Sequence, residues 1–194
     1  DPYKTGLDRE LKRVRDLRAA IDKDLAAFNF PAAQKKAQAG AALDSPFRKL
    51  MTGYDQAVAA RKTIYDTLKD ELEGKPAAKV EFDMLTALRP NYDKIIDVDH
   101  VFAAAAKTVA HFNFYIDVAR RALLRHEEYV TARKVQTDRL DVLKPQSNPG
   151  VQAAIEAAEK TIERADALDL ARDFKQAQLE LEPLKAKFDA IELD

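Results

Sequence analysis

The chain has 194 residues, with 32 basic and 33 acidic side chains, a formal net charge of −1 and no cysteine. This length suits one domain or two small ones. The balanced charge gives no electrostatic reason to expect nucleic acid or an anionic membrane as a partner. The lack of cysteine excludes disulfides, thiol catalysis and cysteine-ligated zinc or iron–sulfur sites.

The first residues, Asp1-Pro2-Tyr3-Lys4, do not have the features of a signal peptide and do not include an initiator methionine. No apolar run approaches the roughly 18 residues that a membrane-spanning helix needs. We therefore expect a soluble segment of a longer protein. The sequence does not determine the compartment, so this segment would be cytoplasmic or secreted as part of that longer protein.

The first predicted helix runs from about Leu7 to Ala27. Its apolar residues recur every three or four positions, which is the pattern of one face of an amphipathic helix. Charges of both signs occupy the opposite face, which indicates a solvated surface. The apolar stripe consists of Leu7, Leu11, Val14, Leu17, Ile21, Leu25 and Phe28.

A corner is predicted at Phe28-Asn29-Phe30-Pro31. Asn29 can cap the next helix, because its side-chain oxygen can accept a hydrogen bond from an exposed backbone N–H. Pro31 is suited to the first turn, where the missing N–H has no helical partner to lose. Similar segments at Phe112-Asn113-Phe114 and Leu168-Asp169-Leu170 are predicted to be equivalent corners.

Prolines and glycines divide the remaining chain. Breaks are predicted at Pro46, Pro90 and Pro183, at Gly74-Lys75-Pro76, and in the loop over residues 144–150. The later predicted helices run from Pro31 to Ala42, Pro46 to Glu73, Ala77 to Leu88, Tyr92 to His111 and Tyr115 to Leu143, and three more begin near Val151, after Leu170 and after Pro183.

These elements predict an all-α fold of about eight to nine helices. It would be a single domain over residues 1–194, forming either an elongated antiparallel bundle or a short α-solenoid. A coiled-coil-like spacing in the first and seventh helices favours shallow left-handed helix crossings. Units of corner, helix, proline break and helix suggest a repeat, although turns at similar intervals also occur in any helical bundle. After an N-terminal helix at 1–27, the repeats would cover 28–72, 73–111, 112–167 and 168–194.

The three histidines, His100, His111 and His126, provide the weak candidates for a metal site. Asp97 and His100 are the nearest match to the Glu-x-x-His ligand pairs found in di-metal bundles, but the chain has no second copy. His126 continues an apolar stripe, which is more typical of a buried or boundary histidine with a hydrogen-bond partner. The metal candidates are therefore Asp97, His100 and His126, and the sequence predicts neither a metal nor a cofactor.

Other chemistry has less support. Glu71, Glu73, Glu127 and Glu128 are predicted to lie on solvated helical faces rather than to form an acid–base pair. A basic cluster near Arg125 is interrupted by acidic residues, which favours a solvated face over a phosphate-tracking surface. Its members are Arg120, Arg121, Arg125, Arg133, Lys134 and Arg139.

The sequence therefore predicts a non-enzymatic helical scaffold or protein-interaction module, with other protein segments as partners. The alternative is a ligand-binding or sensor-type bundle, with a small-molecule or metal pocket near His100, His126 or the tyrosines. An enzyme that uses scattered carboxylates and histidines ranks last. No catalytic or cofactor-binding residue is predicted, and neither is an oligomeric state.

Overall fold

A computed structural model of the chain describes residues 7–146 and 148–192, and every regular element in these ranges is helical. The all-α prediction is confirmed. The predicted loop residue Ser147 and the predicted ends of the domain at residues 1 and 194 lie outside these ranges. The α-helices are α1 (Asp8–Ala26), α2 (Phe30–Ala41), α3 (Asp44–Thr67), α4 (Lys79–Lys94), α5 (Phe102–Leu143), α6 (Pro149–Leu170) and α7 (Phe174–Glu192).

Short helical turns extend two of these helices. A π-helical turn, Leu68–Leu72, follows α3, and another, Ile95–Asp99, follows α4. A 3-10 turn, Pro76–Ala78, precedes α4. Within the described residues this gives fewer helices than the predicted eight to nine, because several predicted breaks do not interrupt a helix.

The predicted breaks at Pro90 and Pro183 are wrong. Pro90 lies inside α4 and Pro183 inside α7. A proline inside a helix removes one backbone hydrogen bond and crowds the preceding turn. Packing on both sides opposes this cost, since Leu181 and Leu184 are fully buried around Pro183, while the proline itself is exposed.

The predicted corner at Phe112-Asn113-Phe114 is also wrong, because it lies within α5. Phe112 and Ile116 are both buried and belong to an apolar stripe that continues through this segment. Asn113 is exposed and leaves the helix uninterrupted, so the cap-like residue alone does not create a corner. The chain turns earlier instead, at His100, whose backbone has a positive φ of 48°.

The third predicted corner is displaced by a few residues. Leu168-Asp169-Leu170 forms the last turn of α6, and the corner follows at residues 171–173. In contrast, the first corner is located as predicted, between the end of α1 at Ala26 and the start of α2 at Phe30.

The α1–α2 and α6–α7 corners have the same backbone design. In each, the residue after the helix cap has a positive φ, 55° at Phe28 and 62° at Arg172. Each corner closes the pair of hydrogen bonds of a Schellman turn, which satisfies free carbonyls at a helix end. The bonds are Phe28 N–H to Leu25 O (3.0 Å), Asn29 N–H to Asp24 O (2.8 Å), Arg172 N–H to Asp169 O (2.8 Å) and Asp173 N–H to Leu168 O (2.9 Å).

The following helices also begin alike. The side chain of Asn29 accepts from the N–H of Ala32 at 3.4 Å, and that of Asp173 accepts from the N–H of Gln176 at 3.3 Å. Each capping residue precedes a phenylalanine, Phe30 or Phe174. Asn29 is therefore a cap as predicted, and its counterpart is Asp173 rather than Asp169.

The described residues form two compact units. The first unit comprises 7–73 and 82–116, and the second comprises 74–81 and 117–192. The core of the second unit joins α5, α6 and α7, with Phe188, Leu184 and Tyr129 among its most buried residues. The matching corners do not confirm the predicted repeat, and the prediction of one domain over 1–194 stays a prediction.

Candidate functional sites

The metal candidates are not brought together as a ligand set. His100 and Asp97 belong to the first unit, and His126 belongs to the second. His111 is exposed and stacks on Tyr115, with ring centroids 5.0 Å apart. Within the part of the chain that the structure describes, no group of three or more histidine, aspartate or glutamate residues could hold a metal ion.

His100 takes part in hydrogen bonding within the first unit. Its Nδ1 lies 2.6 Å from the carbonyl oxygen of Ile96, which requires a proton on Nδ1. The Tyr54 hydroxyl donates to the same carbonyl at 2.8 Å. The carbonyl of Ile96, the second residue of the π-helical turn, thus accepts two side-chain hydrogen bonds, which hold Tyr54 of α3 and His100 to this turn.

Asp97 pairs with a cation of its own unit. The Arg61 guanidinium lies 2.6 Å from Asp97 and 3.5 Å from Asp93. Asp93 also accepts from the Tyr65 hydroxyl at 2.8 Å. Burial, followed by this hydrogen bond, raises the pKa of Tyr65, so the phenol stays protonated. These contacts connect α3 to α4 and the π-helical turn after it.

Tyr54, Asp97 and His100 nevertheless line a cavity of about 440 Å³ in the first unit. Tyr92 lies elsewhere in this unit and donates to the carbonyl of Ala57 at 2.7 Å, and burial raises its pKa to about 12. A cavity therefore lies beside His100, and the prediction that it holds a small molecule or a metal stays a prediction. Tyr54 and Asp97, at its wall, already have internal partners.

His126 has a carboxylate partner in the second unit. Its Nδ1 lies 2.7 Å from Asp169, and its ring meets the Phe174 ring edge-to-face at 5.7 Å. His126 therefore lies against the α6–α7 corner. It has the partly buried, hydrogen-bonded role that its apolar stripe predicts.

Asp166 connects α6 to α5 next to this contact. The Arg133 guanidinium donates to both of its oxygens, at 2.6 and 2.9 Å, and the Tyr129 hydroxyl donates at 2.5 Å. Hydrogen bonds from Arg133, and then from Tyr129, lower the pKa of Asp166, although burial of the carboxyl opposes the shift. Burial is the main cause that raises the pKa of Tyr129. These groups hold the helices together.

The α1–α2 and α6–α7 helical hairpins differ in what covers their corners. Phe174 is 6% exposed because α5 packs over the corner, whereas its counterpart Phe30 is 59% exposed. None of the residues of α1, a helix that the structure describes completely, is buried. Leu25, Phe28 and Phe30 are all exposed and form what we call the corner patch. Sequence reasoning identified this corner but assigned it only a structural role.

The second unit contains a cavity of about 540 Å³ that sequence reasoning missed. Three arginines and one glutamate contribute its charged lining, with apolar side chains beside them. Arg121 and Arg125 belong to the basic cluster predicted to be a solvated face. No local spacing could indicate the contact of Glu81 with Arg172, because these residues are 91 positions apart. We call it the arginine cavity, and its lining consists of Glu81, Val118, Arg121, Ala122, Arg125, Ala171, Arg172 and Phe174.

Comparisons with protein families, with curated proteins and with solved structures give no match. Among the described residues, no helix combines the length and the apolar character needed to cross a membrane. The two surfaces described above are therefore the basis for functional inference.

Proposed function

We propose that this chain is a non-enzymatic protein-interaction module whose α1–α2 hairpin binds an amphipathic helix of a partner protein. The main support for this proposal is a difference between the α1–α2 and α6–α7 hairpins, which have the same corner. On α6–α7 the corner is covered by a third helix, α5, while the matching face of α1–α2 is exposed. Within this chain, α5 packed on the α6–α7 corner is thus an example of a helix bound to a hairpin of this design.

The covered corner indicates which contacts a partner would make. His126 of α5 lies against Asp169 and Phe174. Their counterparts at the first corner are Leu25 and Phe30, which are both apolar. A partner residue in the place of His126 would therefore be a large apolar side chain, because it would bury apolar surface on both sides.

The polar neighbour of this contact also has a counterpart. Asp166, which accepts from Arg133 and Tyr129, corresponds in position to Asp22 of α1. Asp22 is exposed and lies 4.0 Å from Arg18, so it is free to accept a stronger hydrogen bond. The proposed partner helix carries an apolar residue for the corner patch and, one to two turns along, a basic residue for Asp22.

Phe28 adds a second line of support. Its backbone is left-handed, a conformation that costs a side-chain-bearing residue roughly 1–2 kcal/mol and that glycine adopts readily. At Arg172 the same strain is offset by hydrogen bonds to Glu81. Phe28 is 79% exposed and meets the Phe30 ring edge-to-face, so fold stability does not account for its aromatic ring. Aromatic side chains are typical anchors of protein interfaces.

The test is selection of binders from a displayed library of amphipathic helices. We expect wild-type protein to select helices with an apolar residue and a nearby basic residue, and both Phe28→Gly and Phe30→Ser to weaken their binding about tenfold or more. Phe28→Gly should also raise the free energy of unfolding by about 1 kcal/mol, measured by urea denaturation, because strain is relieved. A variant that is more stable but binds less would separate function from folding.

Leu170→Ser is the matched control, because Leu170 is 85% exposed at the other corner. It should leave binding unchanged. Selected helices that bind equally well to Phe30→Ser, or a selection that yields no helical binder, would contradict the proposal. A loss of binding in Leu170→Ser equal to that in Phe30→Ser would also count against it, since a general affinity for apolar surface would then explain the result.

A further inference from the structure

The arginine cavity lies entirely within the second unit and does not include the corner patch. We propose that it binds a small phosphorylated molecule whose phosphoryl group contacts Arg121 and Arg125 and whose remaining part is apolar or aromatic. This inference is independent of helix binding by α1–α2. It develops the alternative prediction of a ligand-binding bundle at a place that sequence reasoning did not identify.

Internal pairing accounts for only part of the charge in this cavity. Glu81 is 8% exposed, and Arg172 donates to its two oxygens at 2.9 and 2.7 Å. One carboxylate therefore neutralises one guanidinium. Arg121 and Arg125 add positive charge that Glu81 does not balance, so the cavity as a whole favours an anion.

The two remaining arginines lie one turn apart on α5, which places them on the same face of the helix. Arg121 donates through Nε to the carbonyl of Asp117 at 3.2 Å, a contact that leaves its terminal nitrogens for other acceptors. Among the described residues, Arg125 has no hydrogen-bond or ion-pair partner. Two planar guanidinium groups on one helix face suit the several oxygens of a phosphoryl group.

Arg172 provides a further indication. Its Nε is buried and has no hydrogen-bond partner among the described residues. A buried N–H without an acceptor is costly, and such groups are uncommon in native proteins. An oxygen of a ligand that reaches this guanidinium would provide the missing acceptor. The left-handed backbone at Arg172 holds this side chain against Glu81 at the cavity wall.

The remaining lining and the volume fit an organic phosphate better than a free phosphate ion. Val118, Ala122 and Phe174 form an apolar wall, with the Phe174 ring suited to packing against a planar or apolar group. The volume of about 540 Å³ is within the usual range for small-molecule sites. Both features predict that an apolar substituent on the phosphate increases affinity.

The experiment is isothermal titration calorimetry of the full chain at physiological ionic strength, about 0.15 M, with phenyl phosphate, inorganic phosphate and benzoate as probes. We expect phenyl phosphate to bind more tightly than either of the others. Arg125→Gln should weaken it about tenfold, because a charge-assisted hydrogen bond is lost. Ala122→Leu should weaken it similarly by filling the cavity without a change in charge.

Arg120→Gln is the matched control, since it makes the same change of charge on the neighbouring residue of Arg121 but outside the cavity lining. It should change the affinity by less than about twofold, because Arg120 does not line the cavity and a charge without direct contact with the ligand is screened. The proposal is overturned if phenyl phosphate shows no saturable binding, if Arg120→Gln and Arg125→Gln weaken it equally, or if Ala122→Leu binds like wild type. Thermal unfolding of each variant by circular dichroism verifies that the fold is retained.

Discussion

At the scale of single residues, the left-handed corners show how side chains compensate for backbone strain. Among the described residues, Phe28, His100 and Arg172 are the non-glycine residues with positive φ. His100 and Arg172 each have a polar partner that offsets the strain, the Ile96 carbonyl and Glu81. Phe28 has only the aromatic ring of Phe30 as a neighbour, so no polar contact offsets its strain, and the proposed binding of a partner by the corner patch would account for a phenylalanine there.

Asp166 provides a residue-scale prediction about pH. Asp166→Asn should lower the free energy of unfolding at pH 7 by on the order of 1–2 kcal/mol, a value reduced for the partial exposure of the site. The folded pKa of Asp166 lies below its ordinary value of 3.8. Its stabilising contribution is therefore complete above pH 3.8 and is lost as the pH falls through the folded pKa.

Urea denaturation of both proteins between pH 7 and pH 2 measures this effect. The difference between wild type and Asp166→Asn should shrink below pH 3.8. Asp138→Asn is the control, because Asp138 forms an exposed pair with Lys134 within one helix. It should cost less than about 0.5 kcal/mol. A difference for Asp166→Asn that is constant over the whole range would show that its ionisation does not contribute to stability.

At the scale of helices, packing prevails over local signals that favour a break. The apolar stripe of α5 continues through Asn113, and the buried residues of α7 lie on both sides of Pro183. A helix continues through such a position when the free energy lost by exposing apolar surface at a break would exceed the free energy of the missing backbone hydrogen bond. Local composition alone does not contain that comparison.

The element-scale prediction concerns Pro183→Ala. Proline in a helix interior is about 3 kcal/mol less favourable than alanine, so the substitution should raise the free energy of unfolding by roughly 1–3 kcal/mol. Pro149→Ala is the matched control, because Pro149 occupies the first turn of α6, where proline is well tolerated. Urea denaturation should show little change for the control. A neutral Pro183→Ala would mean that residue 183 does not lie in a continuous helix.

At the scale of the whole molecule, stability is expected to be uneven. Both α1 and α7 have 19 residues, yet none of the residues in α1 is buried. α7 contributes several residues to the core of the second unit, including Leu184 and Phe188. Segments with little buried apolar surface open at low free energy. In the hairpin proposed to bind a partner, α1 is therefore expected to be held less firmly by its own fold than α7.

Hydrogen–deuterium exchange measured by mass spectrometry tests this prediction. Amides of α1 should exchange at least about tenfold faster than those of α7, because they need only local opening rather than disruption of the core. The helices of equal length serve as mutual controls. Equal protection of α1 and α7 would contradict the expected weak attachment of α1. A selected helix that binds the corner patch should slow exchange in α1 and leave α7 unchanged.

Residue patterns within single segments determined the helical class of this protein and part of its organisation. The helix α1 was predicted from apolar residues spaced three and four positions apart, and the cap at Asn29 from its place before the next helix, because both depend on neighbours a few positions away. The partly buried role of His126 followed from its position on an apolar stripe. The helix and its cap involve contacts within one or two turns, which the sequence displays directly, whereas the partner of His126, Asp169, is 43 positions away and is identified only by the fold.

The tertiary structure alone decided which helices continue, which corners match and where charges meet. Asp173 matches Asn29 because each follows a left-handed residue, and that conformation has no glycine to mark it here. Glu81 meets Arg172 across 91 positions, and the exposure of Phe30 depends on whether another helix covers it. Burial and long-range pairing depend on the whole chain packing at once, so both proposed binding surfaces emerge only in the folded protein.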